Sequence, residues 1–127
     1  MDFNHHIRPI ISAKCFHCHG PDESSRKAKL RLDLREDALK ERDGVRAIVP
    51  GNVQESELVV RIDSTDKDEV MPPPGEGEPL TAHETELLRR WIAEGAEYRE
   101  HWAWSKPALP SVPHVPEASN PIDAFVR

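Results

Sequence analysis

Phe3, Ile7, Ile10, Ile11 and Cys18 recur at spacings of three, four and seven, with Arg8 and Lys14 off that face. This periodicity predicts an amphipathic helix running into the cysteines. Pro9 lacks a backbone N–H and restarts or kinks a turn, which places the expected helix start between Asn4 and Arg8. Leu30, Leu32 and Leu34 alternate with charged residues, the period of a strand. No partner strand is readable, so an extended segment pressing three leucines inward is expected. Glu36 to Arg42 reads as a short helix ended by Gly44, and Val49-Pro50-Gly51-Asn52 as a turn. Ser56 to Ile62 carries Leu58, Val59 and Ile62 at helical spacing, whereas Met71-Pro72-Pro73-Pro74-Gly75 cannot be helix. Thr81 with Glu84 forms a capping box, Leu87, Leu88, Trp91 and Ile92 follow on one face, and Gly95 sits where the helix stops.

Length changes this picture little: 127 residues make one domain with appendages. Composition changes it more. Hydrophobic residues supply 37%, below the ~45–50% of ordinary domains, so the core needs help from something other than side chains. Five of the 12 prolines lie beyond Trp104, in a stretch without helical or strand period. We therefore expect a folded unit over 1–104 and a Pro-rich extension over 105–127 that begins as an extended linker. Trp91 is expected to pack on the first helix near Phe3, Ile7 and Ile10, and Trp102 and Trp104 to anchor the start of the linker. The net charge of −6 argues against nucleic acid as a partner, because phosphates demand a basic patch. No apolar run approaches the ~18 residues of a membrane span, and no leader-type apolar stretch follows Met1.

Two cysteines, Cys15 and Cys18, cannot form a disulfide scaffold, so their task is local. With His19 they spell Cys-x-x-Cys-His, the attachment pattern of c-type haem. Two thiols three apart on a turn can meet the two vinyl groups of a porphyrin, and the next imidazole can then reach the iron. Zinc would want a second pair of N or S ligands, and His83, His101 and His114 are isolated. A thioredoxin-type dithiol would need a βαβ unit, of which there is no sign. Cysteines that merely pack in a core remain the plain alternative. His5, His6 and His17 read as solvent-facing.

Met71 lies 52 positions after His19 and is the chain's one methionine besides Met1. A thioether is a soft ligand that pairs with histidine on six-coordinate haem iron. The competing reading is a flexible core filler. Three prolines after Met71 favour the ligand, since a stiff loop without amide donors suits the presentation of one side chain. His83, in the first turn of the last helix, is the other candidate. Leu30, Leu32, Leu34, Ile48, Leu58 and Ile62 are candidates to line a haem, with ordinary core burial as the alternative for each.

The helix into CFHCHGPD, then KAKLRLD, IVPGN, ESELVVRI, MPPP and LTAHETELLRRWIAEGAEYREHWAW, together resemble the cytochrome c domain of large planctomycete surface or periplasmic proteins. The resemblance spans about Phe3 to Trp104. It implies a small all-α, class I-like helical fold around one covalent haem c on Cys15 and Cys18, with the iron between His19 and Met71. It also implies a periplasmic or otherwise extracytoplasmic location, with the leader removed or omitted. NPIDAFV resembles the start of a following domain, so the chain reads as an N-terminal module of a larger polypeptide.

An electron-transfer module is the function expected, not an enzyme by itself, because His/Met ligation leaves no open position on the iron. The rival is a haem-based sensor in which a small molecule displaces Met71; a haem-free interaction module is the other. Residues 55–100 hold 13 acidic against five basic side chains. That imbalance is expected either to be a solvated face or to steer a redox partner with a basic face.

Overall fold

The computed structural model describes residues 1–117 and 120–126. The chain opens with a π-helical turn, Phe3–Ile7, which passes directly into α1, Arg8–Lys14. Pro9 sits in the first turn of α1, where its missing N–H leaves no helical bond unmade. The wider π turn ahead of it keeps Phe3 and Ile7 on the buried face, so one apolar stripe survives a proline that would have broken a continuous α-helix. After a break at Cys15 comes α2, Phe16–His19, and then α3, Arg35–Ala38. A two-stranded antiparallel hairpin follows, β1 Glu41–Arg42 with β2 Val45–Arg46. The remaining helices are α4, Glu57–Asp63, α5, Ala82–Ala93, and α6, Pro121–Val126.

This corrects the all-α expectation. Only about 36% of the described residues are helical, long stretches are irregular, and there is a small sheet. The causes are local. Asp43 and Gly44 both take positive φ (50° and 82°), the signature of a two-residue hairpin turn. The helix expected from Glu36 to Arg42 therefore stops at Ala38, and Gly44 turns a hairpin instead of ending a helix. The prolines between α4 and α5 likewise hold their segment out of any helix. The alternating leucines also differ from expectation: the segment joins no strand, Leu32 is buried, Leu30 is partly buried, and Leu34 is 46% exposed.

Phe3, Ile7, Ile11, Ile48, Leu88 and Ile92 form the fully enclosed centre. α5 closes it, capped as its sequence requires: the Thr81 hydroxyl accepts from Glu84 N–H (3.2 Å), and the Glu84 carboxylate accepts from Thr81 N–H (2.8 Å). Trp91 reaches the N-terminal turn, with its ring centroid 5.6 Å from Phe3 and 5.3 Å from Tyr98; Phe3 and Tyr98 stack at 4.6 Å. Its indole N–H donates to the Glu97 carbonyl (2.9 Å), and the Tyr98 hydroxyl to the Leu32 carbonyl (2.8 Å). Buried Ser56 ties the middle of the chain, donating to Asn52 O (2.8 Å) and accepting from Val49 N–H (2.9 Å). Gly51 N–H donates to Ile92 O (2.8 Å), which joins that turn to α5.

Trp102 and Trp104 lie outside the core, 72% and 82% exposed, with the Trp102 ring 5.3 Å from that of His101. Residues 105–115 carry neither helix nor strand, and Ala118, Ser119 and Arg127 of the expected extension lie outside the described residues. Among the described residues no helix is long and apolar enough to cross a membrane.

Trp91→Ala removes a 2%-exposed indole from the aromatic cluster and should destabilise the fold by about 3–5 kcal/mol. Trp102→Ala should stay within about 0.5 kcal/mol of the parent. Denaturant midpoints at constant m-value check both.

Candidate functional site: a cavity at the cysteine turn

The break after α1 sets the site. Cys15 leaves helical geometry (φ −125°, ψ −36°), yet its carbonyl accepts from Cys18 N–H (3.2 Å) and His19 N–H (2.8 Å). One turn thus carries Cys15, Cys18 and His19 at i, i+3 and i+4, the positions that share a helix face. Gly20 ends the turn with no room for a side chain, since a Cβ there would run into the Phe16 carbonyl. The loop that follows is laced back onto the motif. Lys27 N–H donates to Cys18 O (2.7 Å) and Leu32 N–H to His19 O (2.8 Å), satisfying carbonyls that a helix end leaves open. Asp22 accepts from the backbone and hydroxyl of Ser24 and the hydroxyl of Ser25, bonds that hold its carboxyl below the usual range.

The two thiols are unlinked. Burial, with Cys18 adding to it, pushes the Cys15 thiol up to about 12. A redox dithiol needs the opposite, an attacking thiolate stabilised near neutral pH, so the environment disfavours the thioredoxin-type reading. Burial lowers the pKa of His19, and backbone groups of Lys27 and Leu30 offset it in part, so the ring is neutral at physiological pH. Its Nδ1 is buried with no hydrogen-bond partner. A neutral imidazole is the metal-binding form, and an unsatisfied buried nitrogen is an exception that calls for a reason.

Met71 arrives from another part of the chain. Its N–H donates to the Arg61 carbonyl at the end of α4 (3.1 Å), which fixes where the Met-Pro-Pro-Pro loop starts. Cys15, Cys18, His19 and Met71 all line a single cavity of about 520 Å³, within the 300–1,000 Å³ range of small-molecule and cofactor sites. Leu30, Leu32, Leu58 and Ile62 supply apolar wall, as the sequence suggested. Ile48 instead belongs to the closed core, and Leu34 points to solvent. His17 is exposed at the cavity's edge, while His83 is exposed on α5 and does not line the cavity.

Sequence reading missed part of the lining. Val45 and Ala47 reach it through the hairpin, and Leu80 through the loop before α5. The Asp-Gly pair flanked by Arg42 and Val45 was the available signal for the hairpin. Four cations, Lys14, Lys40, Arg42 and Arg61, also border the cavity and carry no sequence signature at all.

The donor set fits a c-type haem: two thiols and an imidazole on one turn, a thioether on a second segment, and an apolar space between elements. Among the described residues no group of three or more His, Cys, Asp and Glu could hold a bare metal ion, which leaves the zinc reading without a second ligand pair. No curated protein and no solved structure matches the chain. Residues 15–75 match the family model described as Planctomycete cytochrome C. That match begins at Cys15 and includes Met71, though it stops short of α5. On this correspondence residues 15–75 mark a planctomycete-type cytochrome c domain within the chain.

Proposed function

We propose that this domain is a one-electron carrier with one haem c, covalently held by Cys15 and Cys18, and with His19 and Met71 as the axial ligands. The observation that carries the reading is the meeting of the cysteine turn and Met71 at one cavity, although 52 positions separate Met71 from His19. Bound there, haem supplies an iron that changes oxidation state by one electron. The protein's part is to hold and tune it. The two thiols anchor the macrocycle, and the neutral His19 ring offers a nitrogen to the metal. The proline loop, tied to Arg61, presents the thioether. The surrounding leucines keep water away, which raises the influence of each ligand on the potential. Held by both His19 and Met71, the iron would offer no open position to a substrate, and the domain would act as no enzyme by itself.

Within this proposal the unit spans 1–104, and 105–127 leads toward further domains of the same polypeptide; residues 105–115, without helix or strand, suit a tether. The location is extracytoplasmic, as for cytochromes c generally. The partner is a redox protein whose basic face meets the acidic side chains of residues 55–100.

Covalent attachment is tested by mass and by acid–acetone extraction. The intact chain should exceed the polypeptide mass by one haem and retain its colour in the precipitate, and Cys15→Ala with Cys18→Ala should release it. Haem that extracts freely from the unmutated protein contradicts the assignment.

Met71→His should keep low-spin six-coordinate iron at a lower potential, because a thioether favours the ferrous state more than an imidazole does. Met71→Ala should abolish the weak sulfur-to-iron band at the red edge of the visible spectrum and admit CO. An unmutated ferrous protein that already binds CO by losing its methionine would favour the sensor instead. An unaltered spectrum in Met71→Ala would move the sixth position to another residue.

If the acidic region steers a basic partner, the bimolecular transfer rate should fall steeply with ionic strength. Stopped-flow measurements across a salt series check this, and a flat profile would mark the acidic face as merely solvated.

A further inference from the structure

We propose that Arg61 and Lys40 bind the two propionate carboxylates of the haem. This rests on the haem reading above and adds to it the orientation of the macrocycle in the cavity. A carboxylate drawn against an apolar wall needs a charged or hydrogen-bonding partner, since an unpaired buried charge is costly. The cavity offers four cations, and their existing bonds separate them. Arg42 is committed to the fold: its terminal nitrogens donate to the carbonyls of Lys29, Asp37 and Lys40 and to the Asp37 carboxylate (2.7 Å). Lys14 donates to Pro79 O (3.4 Å) and faces Glu78 (3.8 Å), so it serves to hold the loop ahead of α5.

The other two have donors to spare. Arg61 gives only its Nε, to Glu57 Oε1 (2.8 Å), which fixes the plane of the guanidinium. Its two terminal nitrogens have no partner among the described residues. That is the part of the fork which binds a carboxylate in two parallel hydrogen bonds. The Lys40 ammonium has no hydrogen-bond or ion-pair partner among the described residues either. Asp43, Glu57 and Glu76 also border the cavity, and Glu57 alone of these is paired with one of its cations. Two cations with free donors thus stand against two carboxylates. Arg61 also accepts the Met71 N–H on its carbonyl, so one residue would place both the thioether loop and a propionate.

The test uses the haem-loaded protein, with loading confirmed by mass, and reads the midpoint potential by spectroelectrochemistry. Arg61→Gln and Lys40→Gln each delete a positive charge next to the cofactor and should favour ferric iron about three- to tenfold. Tenfold corresponds to 59 mV for a one-electron couple. Both should also shift the propionate bending modes in resonance Raman, and Arg61→Lys should restore most of the potential. Arg46→Gln, on the exposed hairpin strand outside the cavity, is the control and should change neither. Should Arg61→Gln fail to mature, Lys40→Gln and Arg61→Lys carry the test. Potentials and propionate modes in Arg61→Gln and Lys40→Gln that match the Arg46→Gln control, on protein with haem attached, would overturn the proposal and leave the haem reading standing. Absence of covalent haem by mass would instead remove the haem reading itself.

Discussion

His19 is half-buried beside a cavity, its Nδ1 enclosed and without a hydrogen-bond partner among the described residues, and the local structure is arranged around that condition. A polar atom in this state costs free energy, on the order of 1–3 kcal/mol for a neutral group, unless something completes its bonding. The backbone of Lys27 and Leu30 relieves it only in part. The fold holds the imidazole by the backbone, through Leu32 N–H on the His19 carbonyl, and on the same turn as two unlinked thiols. A side chain that only needed burial would be free to rotate toward an acceptor. Here the loop after Gly20 is stitched to the turn at Cys18 and His19, and the site keeps its shape.

The shortage of apolar residues belongs to the same economy. The enclosed centre is small and lies between the N-terminal turn, α1 and α5, with the Phe3–Trp91–Tyr98 cluster at one end. Leu32 and Leu58, members of that core, and Leu30, packed against it, also line the cavity. A porphyrin would bring them an apolar partner larger than any side chain. Binding to the folded state alone adds to stability, so a chain of this composition would gain both a function and a core from one such group.

Charge is distributed with a similar division of labour. Some ion pairs are surface features of small worth, such as Arg90 with Glu94 on α5. Others organise backbone: Arg42 gathers three carbonyls and a carboxylate at the foot of the hairpin, and Arg35 donates to the carbonyls of Gly95 and Ala96 beyond α5. Of the four cations at the cavity, Arg61 and Lys40 keep free donors, where an anionic edge of a cofactor would need them.

The sequence by itself determined the donor set of the cysteine turn and the helices that obey local rules. Cys15, Cys18 and His19 are legible because their spacing is that of one turn, and α5 because its capping box, apolar face and Gly95 act within a few residues of one another. The tertiary structure decided what depends on distant partners. That Met71 shares a cavity with His19 follows from a bond to Arg61, which no periodicity encodes. Leu34 alternates with Leu32 yet lies outside, because burial depends on which neighbours cover a residue as well as on its own polarity. The all-α expectation failed for a related reason: helical spacing marks where helices are possible, while prolines and a single Asp-Gly turn decide how much chain is left between them. Lys40 and Arg61 could not be singled out from sequence, since a cation acquires a role only from the surface it faces.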